Sequence, residues 1–187
     1  TVLNNIEVVG SNDDGIEVFG GAAQISNILI LNQRDDAIDL DEGFRGILSN
    51  VLIVMRSNSD NPFEIDGTED STGTIGGSFT INDATVYANT APESGKNFLG
   101  DWKSDATGFT NNVVFKNIDG LAIKGIDADT YTGEATSARS NELNFNDFYF
   151  VSAIATLSEI FTNTAVTDYA DWAQVVSEQA ANTGADE

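Results

Sequence analysis

Eight carboxylates before residue 65 have the types and spacing to act together: Asp13, Asp14, Glu17, Asp35, Asp36, Asp39, Asp60 and Glu64. Such a set can hold a hard cation, with Ca2+ taking roughly six to eight oxygens at about 2.3–2.6 Å. It can also share protons, so that a member with a raised pKa serves as an acid or base. The third possibility is a hydrated acidic face that does no chemistry. Cysteine and histidine are both absent. Disulfides, thiol nucleophiles, Ser-His-Asp triads and the usual Cys/His metal sites are thereby excluded. Any chemistry falls to carboxylates, Arg, Lys, Tyr or hydroxyl groups.

These acids belong to a repeat. Asp13, Asp14, Gly15, Ile16, Glu17 and Val18 recur as Asp35, Asp36, Ala37, Ile38, Asp39 and Leu40, at a constant offset of 22 residues. A second pattern of apolar, any residue, Asn or Asp, apolar, any residue, apolar occurs first at Leu3-Asn4-Asn5-Ile6-Glu7-Val8. It returns around the anchors Asn27, Asn50, Asp83, Asn112 and Asp147. Alternation with period two makes these segments strands with one face inward, and a repeat of this length implies coils stacked in a solenoid, six by this count. Asn at the same point of successive coils tolerates a tight bend and can bond to the coils above and below.

Ile16-Glu17-Val18, Ile38-Asp39-Leu40 and Phe63-Glu64-Ile65 read as a second strand per coil, with Phe98 a weaker fourth. Stacking about 4.8 Å apart then places Glu17, Asp39 and Glu64 in one outward column. Asp14 and Asp36 form a second, and Asp13, Asp35 and Asp60 a third. Like charges at ~5 Å repel by about 3 kcal/mol at an effective dielectric near 20. The grid therefore needs exposure, protonation or a bound cation.

The Asn-anchored repeats and the two acidic turns resemble the right-handed parallel β-helix superfamily that includes pectate lyases, and are particularly similar to secreted or surface-anchored bacterial β-helix proteins. The resemblance covers about residues 2 to 155. It implies an all-β fold, an extracellular or bacterial cell-surface location, and a scaffold that hosts lyases, hydrolases, adhesins and structural modules alike. In the lyases, calcium-holding acids work beside an Arg or Lys that abstracts a proton; Arg45 is the best candidate for that role here. Arg34, Arg45 and Arg56 are otherwise expected to pair with neighbouring carboxylates. A β-helix glycoside hydrolase would draw on Asp35, Asp36 and Asp60. The leading expectation is a calcium-stabilised module acting in adhesion, carbohydrate binding or assembly, with a calcium-dependent polysaccharide lyase or glycoside hydrolase on acidic polysaccharide as the alternative.

The net charge of -22 repels phosphate backbones and anionic membranes, so nucleic acid is a poor partner and a divalent cation a good one. No apolar run is long enough to span a membrane, and Thr1 opens directly into strand-like sequence, so no signal peptide is expected within the sequence. Loops at roughly 66–77, 89–108 and 127–141 are expected to leave the coil. Within them Trp102 and Tyr131 could stack on a sugar, while two short acidic stretches, 66–70 and 127–129, give weak calcium signals. Residues 1–166 form the solenoid, expected to be the C-terminal part of a longer one with an upstream domain or partner chain at its open first coil. Residues 167–182 are predicted to form a capping helix that buries Tyr169, Trp172, Val176 and Ala180, and 183–187 a disordered tail.

Overall fold

The structure, a computed structural model, describes residues 1–67, 78–89, 91–104, 106–126 and 143–178. In chain order the strands are β1 (Val2–Val9), β2 (Ile16–Phe19), β3 (Gln24–Leu31), β4 (Ile38–Asp41), β5 (Ile47–Val54) and β6 (Phe63–Asp66). They continue as β7 (Phe79–Tyr87), β8 (Asp101–Lys103), β9 (Gly108–Lys116), β10 (Gly125–Ile126), β11 (Leu143–Val151) and β12 (Ala173–Val176), with one short helix, α1 (Leu157–Ile160), between the last two. One parallel sheet runs β1-β3-β5-β7-β9-β11-β12 and a second runs β2-β4-β6-β8-β10. Each of the first five coils gives one strand to each sheet, the arrangement of a parallel β-helix, and β11 and β12 extend the longer sheet alone among the described residues.

The long strands carry the anchor pattern, and all six anchors bend there. Asn5, Asn27, Asn50, Asp83, Asn112 and Asp147 have φ between 54° and 58°, the left-handed region that Asn and Asp tolerate best. Their side chains form the expected ladder: Asn27 Nδ2 donates to Asn5 Oδ1 at 3.2 Å, Asn50 to Asn27 at 2.8 Å, and Asn112 to Asp83 at 2.6 Å. A second ladder one residue earlier joins Asn111 to Asn82 and Asn146 to Asn111.

Inward positions fill the core, which changes composition along the axis. Around β3, β4 and β5 it is aliphatic, with Ile25, Ile28, Ile30, Ile38, Leu48, Val51 and Ile53 all buried. Towards β11 it becomes aromatic: Trp102 meets Phe145 edge-on at 5.0 Å, Phe115 stacks on Phe150 at 4.9 Å, and Phe145 stacks on Trp172 at 5.0 Å.

The C-terminal segment departs from the predicted helix over 167–182. A 3-10 turn covers Tyr169–Asp171, and the chain then extends as β12 along the free edge of β11. Pairing with an unsatisfied sheet edge outweighs helical periodicity here, because each backbone bond gained satisfies a group on both strands. Trp172 is buried as expected, although on the end of the coil stack and not beneath a helix. Residues 179–182 and the tail 183–187 lie outside the described residues.

Candidate functional site

The acid columns lie in the registers inferred for them. Glu17 pairs with Asp39 and Asp39 with Glu64, and the column goes on to Asp101 of β8. In the second column the Asp36 N–H donates to Asp14 Oδ1 at 2.9 Å, and Asn61 donates through both its backbone N–H and its amide to Asp36 Oδ1, at 2.8 and 2.7 Å. In the third, the Asp35 N–H reaches the Asp13 carbonyl at 3.5 Å and the Asp60 N–H the Asp35 carbonyl at 3.0 Å. These turns are tight: a Cβ on Gly15 would lie 2.5 Å from the Ala37 carbonyl oxygen.

Carboxylates close into four groups, in each of which one oxygen per residue lies within 4.8 Å of the others: Asp13–Asp14–Asp35, Asp14–Glu17–Asp39, Asp36–Asp39–Glu64 and Asp39–Asp41–Asp66. Two oxygens each ~2.4 Å from a common ion are at most ~4.8 Å apart, so this spacing fits a calcium-sized cation. Asp39 belongs to three of the four groups. Its position alternates outward between the core residues Ile38 and Leu40, yet it is only 8% exposed, and its Oδ1 is buried without a hydrogen-bond partner among the described residues.

Electrostatics single out the same residues. Burial, reinforced by Asp41, Asp14, Glu64 and Glu17, raises the Asp39 carboxyl to about 8. Asp36 is raised to about 9 by burial and by its hydrogen bond to Glu64, against the opposing bonds from Asn61. Burial also raises Asp14 to about 6, against the stabilising Asp36 N–H and with help from Asp13, Asp35 and Glu17. Burial works against charge on Glu64 too, but the Lys103 ammonium and the bond from Asp36 overcome it, so Glu64 stays ionised and Asp36 is the protonated partner.

Relief for the grid comes from lysines, not from the arginines expected to pair with it. Lys96 bridges Asp35 and Asp60 at 3.4 and 3.5 Å, and Lys103 bridges Glu64 and Asp66 at 2.9 and 3.3 Å. Lys124 lies 3.5 Å from Asp60, 3.8 Å from Glu64 and 3.5 Å from Asp101. Among the described residues Arg34, Arg45 and Arg56 form no ion pair; Arg56 instead donates to the Ser11 carbonyl at 3.2 Å. Arg45 is exposed in the turn after β4, while Asp35 and Asp36 precede that strand. The lysines thus neutralise the Asp35–Asp60–Glu64 side, and Asp13, Asp14, Glu17, Asp36 and Asp39 have no basic ion-pair partner among the described residues.

Two sugar-stacking candidates fare differently. Trp102 is fully buried in β8, in the core between Phe63 and Phe145, and cannot face a ligand. Tyr131 lies outside the described residues, as do most of the stretch 66–70 and all of 127–129. Sequence reasoning missed Asp101, Asn61 and the three lysines. The signal for Asp101 was an acid beside an inward apolar residue, as in Glu64-Ile65. Phe98 is not a fourth strand of that column, since its N–H bonds to the Asp60 carbonyl and so continues the turn column ahead of β8.

A stack of parallel coils with an acid-lined short sheet defines the class: a β-helix protein whose polar chemistry sits on one face and its turns. The chain belongs to the pectate-lyase-like β-helix domain family, whose model matches residues 1–187. No curated protein and no solved structure gives a significant match.

Proposed function

We propose that this chain is a non-catalytic β-helix module of a secreted or surface-exposed bacterial protein, stabilised by Ca2+ and acting in adhesion, carbohydrate contact or assembly. Asp39 carries the reading. A nearly buried carboxylate among other acids, with an oxygen that has no hydrogen-bond partner and no lysine ion pair among the described residues, is a costly arrangement that a cation would relieve. Asp14, Glu17 and Asp39 would hold the ion with Asp36 beside them, and bound Ca2+ would supply charge neutralisation and a link between two coils. All donors are hard oxygens, as calcium prefers. Turnover is disfavoured because Arg45 is separated from Asp35 and Asp36 by the length of β4.

Thermal melting with excess Ca2+ and with chelator tests the metal. A higher midpoint with the ion, lost in Asp39→Asn, is expected; equal midpoints would remove the cation. A screen on uronate polymers tests the alternative, and an unsaturated product that disappears in Arg45→Ala would replace this reading with that of a lyase.

A further inference from the structure

The turn between β7 and β8 folds back over the turns of the two preceding coils. The Glu93 N–H donates to the Ser57 carbonyl at 2.7 Å, the Asn97 N–H to the Ser59 carbonyl at 2.9 Å, and the Asn97 amide to the Arg56 carbonyl at 2.8 Å. Asn97 is 1% exposed and sits at φ 60°, so the excursion is pinned at its base. Between it and the turns before β2, β4 and β6 lies a cavity of about 260 Å³. Its charged lining is Asp13, Arg34, Asp35, Glu93 and Lys96, all but Asp13 from beyond the first coil.

These charges are of both signs and only partly matched. Lys96 is engaged by Asp35 and Asp60, at 3.4 and 3.5 Å. Arg34 shares the cavity with three acids and yet forms no ion pair among the described residues, so the guanidinium and the carboxylates around it stand too far apart to meet directly. A simple anion entering here would face Asp13, Asp35 and Glu93, and a simple cation would face Arg34 and Lys96. A sugar ring would have no surface to stack on, because among the described residues no aromatic or aliphatic side chain lines the cavity. A molecule carrying both signs satisfies every group. Its carboxylate fits the planar fork of Arg34, and its ammonium donors fit the acids and the Asn58 amide oxygen. The lining holds one more acid than base, which favours a second ammonium. The volume falls below the roughly 300–1,000 Å³ of sites for drug-sized ligands, which calls for a small molecule.

We propose that this cavity binds a free diamino acid, a small zwitterion with one net positive charge, of which lysine is the simplest probe. Arg34 takes the carboxylate, Glu93 and Asp13 take the ammonium groups, and the Lys96–Asp35 pair forms the fixed wall between them. The proposal depends neither on the cation nor on the wider role of the module.

Isothermal titration calorimetry on the intact chain in chelator-containing buffer tests it, with L-lysine, cadaverine and glucose as probes. L-Lysine should bind saturably at one site, about tenfold more tightly than cadaverine, which lacks the carboxylate and with it a charge-assisted pair. Arg34→Ala should weaken lysine by about tenfold and leave cadaverine unchanged, whereas Glu93→Gln should weaken both. Both side chains lie on the surface, so either variant keeps the fold. Absence of saturable lysine binding at millimolar concentration, cadaverine bound as tightly as lysine, glucose bound in its place, or unaltered lysine affinity in Arg34→Ala would each overturn the proposal.

Discussion

At the scale of single residues, Asp39 makes the sharpest predictions. Asp39→Asn removes a charge that burial and four neighbouring acids oppose. In metal-free buffer at pH 8 the variant should be more stable than the parent, by about 1–2 kcal/mol as for relief of one like-charge contact at intermediate dielectric, and denaturant melts would measure it. Stability should also depend on pH in the direction opposite to that of a salt-bridged carboxylate. Folding raises Asp14 to about 6, Asp39 to about 8 and Asp36 to about 9, so between the unfolded value near 4 and those values the folded chain binds more protons than the unfolded one. Stability is then greatest below about pH 4 as far as these groups are concerned, and falls as pH rises through each folded value. Metal-free melts at pH 5 and pH 9 should show the lower midpoint at pH 9. The acid columns were legible because the repeat aligns them. Their lysine partners were not, since Lys96 meets Asp35 across 61 residues and no repeat connects them.

At the scale of elements, the anchors hold the coils in register. Asn27 donates to Asn4 and Asn5, accepts from Asn50 and sits at φ 55°. Asn27→Ala should cost about 2–3 kcal/mol, combining a lost hydrogen bond with a side chain in the left-handed region. Asn27→Gly should recover about 1 kcal/mol of that, because glycine adopts this φ without strain, and paired urea melts would separate the two contributions. Strands with a repeated, alternating pattern could be read directly. Two elements could not. Asp101-Trp102-Lys103 has only one apolar residue and reads as a loop until Glu64 is seen beside Asp101, whereas the segment after Thr167 has helical spacing but meets an open strand edge.

For the molecule as a whole, calcium at about a hundred times its Kd would add about 2.7 kcal/mol, which for a chain of this size is a midpoint increase of roughly 5–10 °C. Differential scanning calorimetry with and without chelator would read that shift. The aromatic end should be the more sensitive to truncation: Phe148 touches Trp102, Phe115, Phe145, Phe150 and Trp172 at ring separations from 5.4 to 6.3 Å. Phe148→Ala should cost about 3–5 kcal/mol, measurable by the same melts.

The gradient from aliphatic to aromatic core also divides the molecule optically. Both indoles, Trp102 and Trp172, lie in the later coils, while Asp14, Glu17 and Asp39 lie in the first two. Tryptophan fluorescence therefore watches one half of the solenoid, and the proposed cation would act on the other. Because coils in a stack couple mainly to their neighbours, an emission change on adding Ca2+ would measure how far order spreads from one rung to the next.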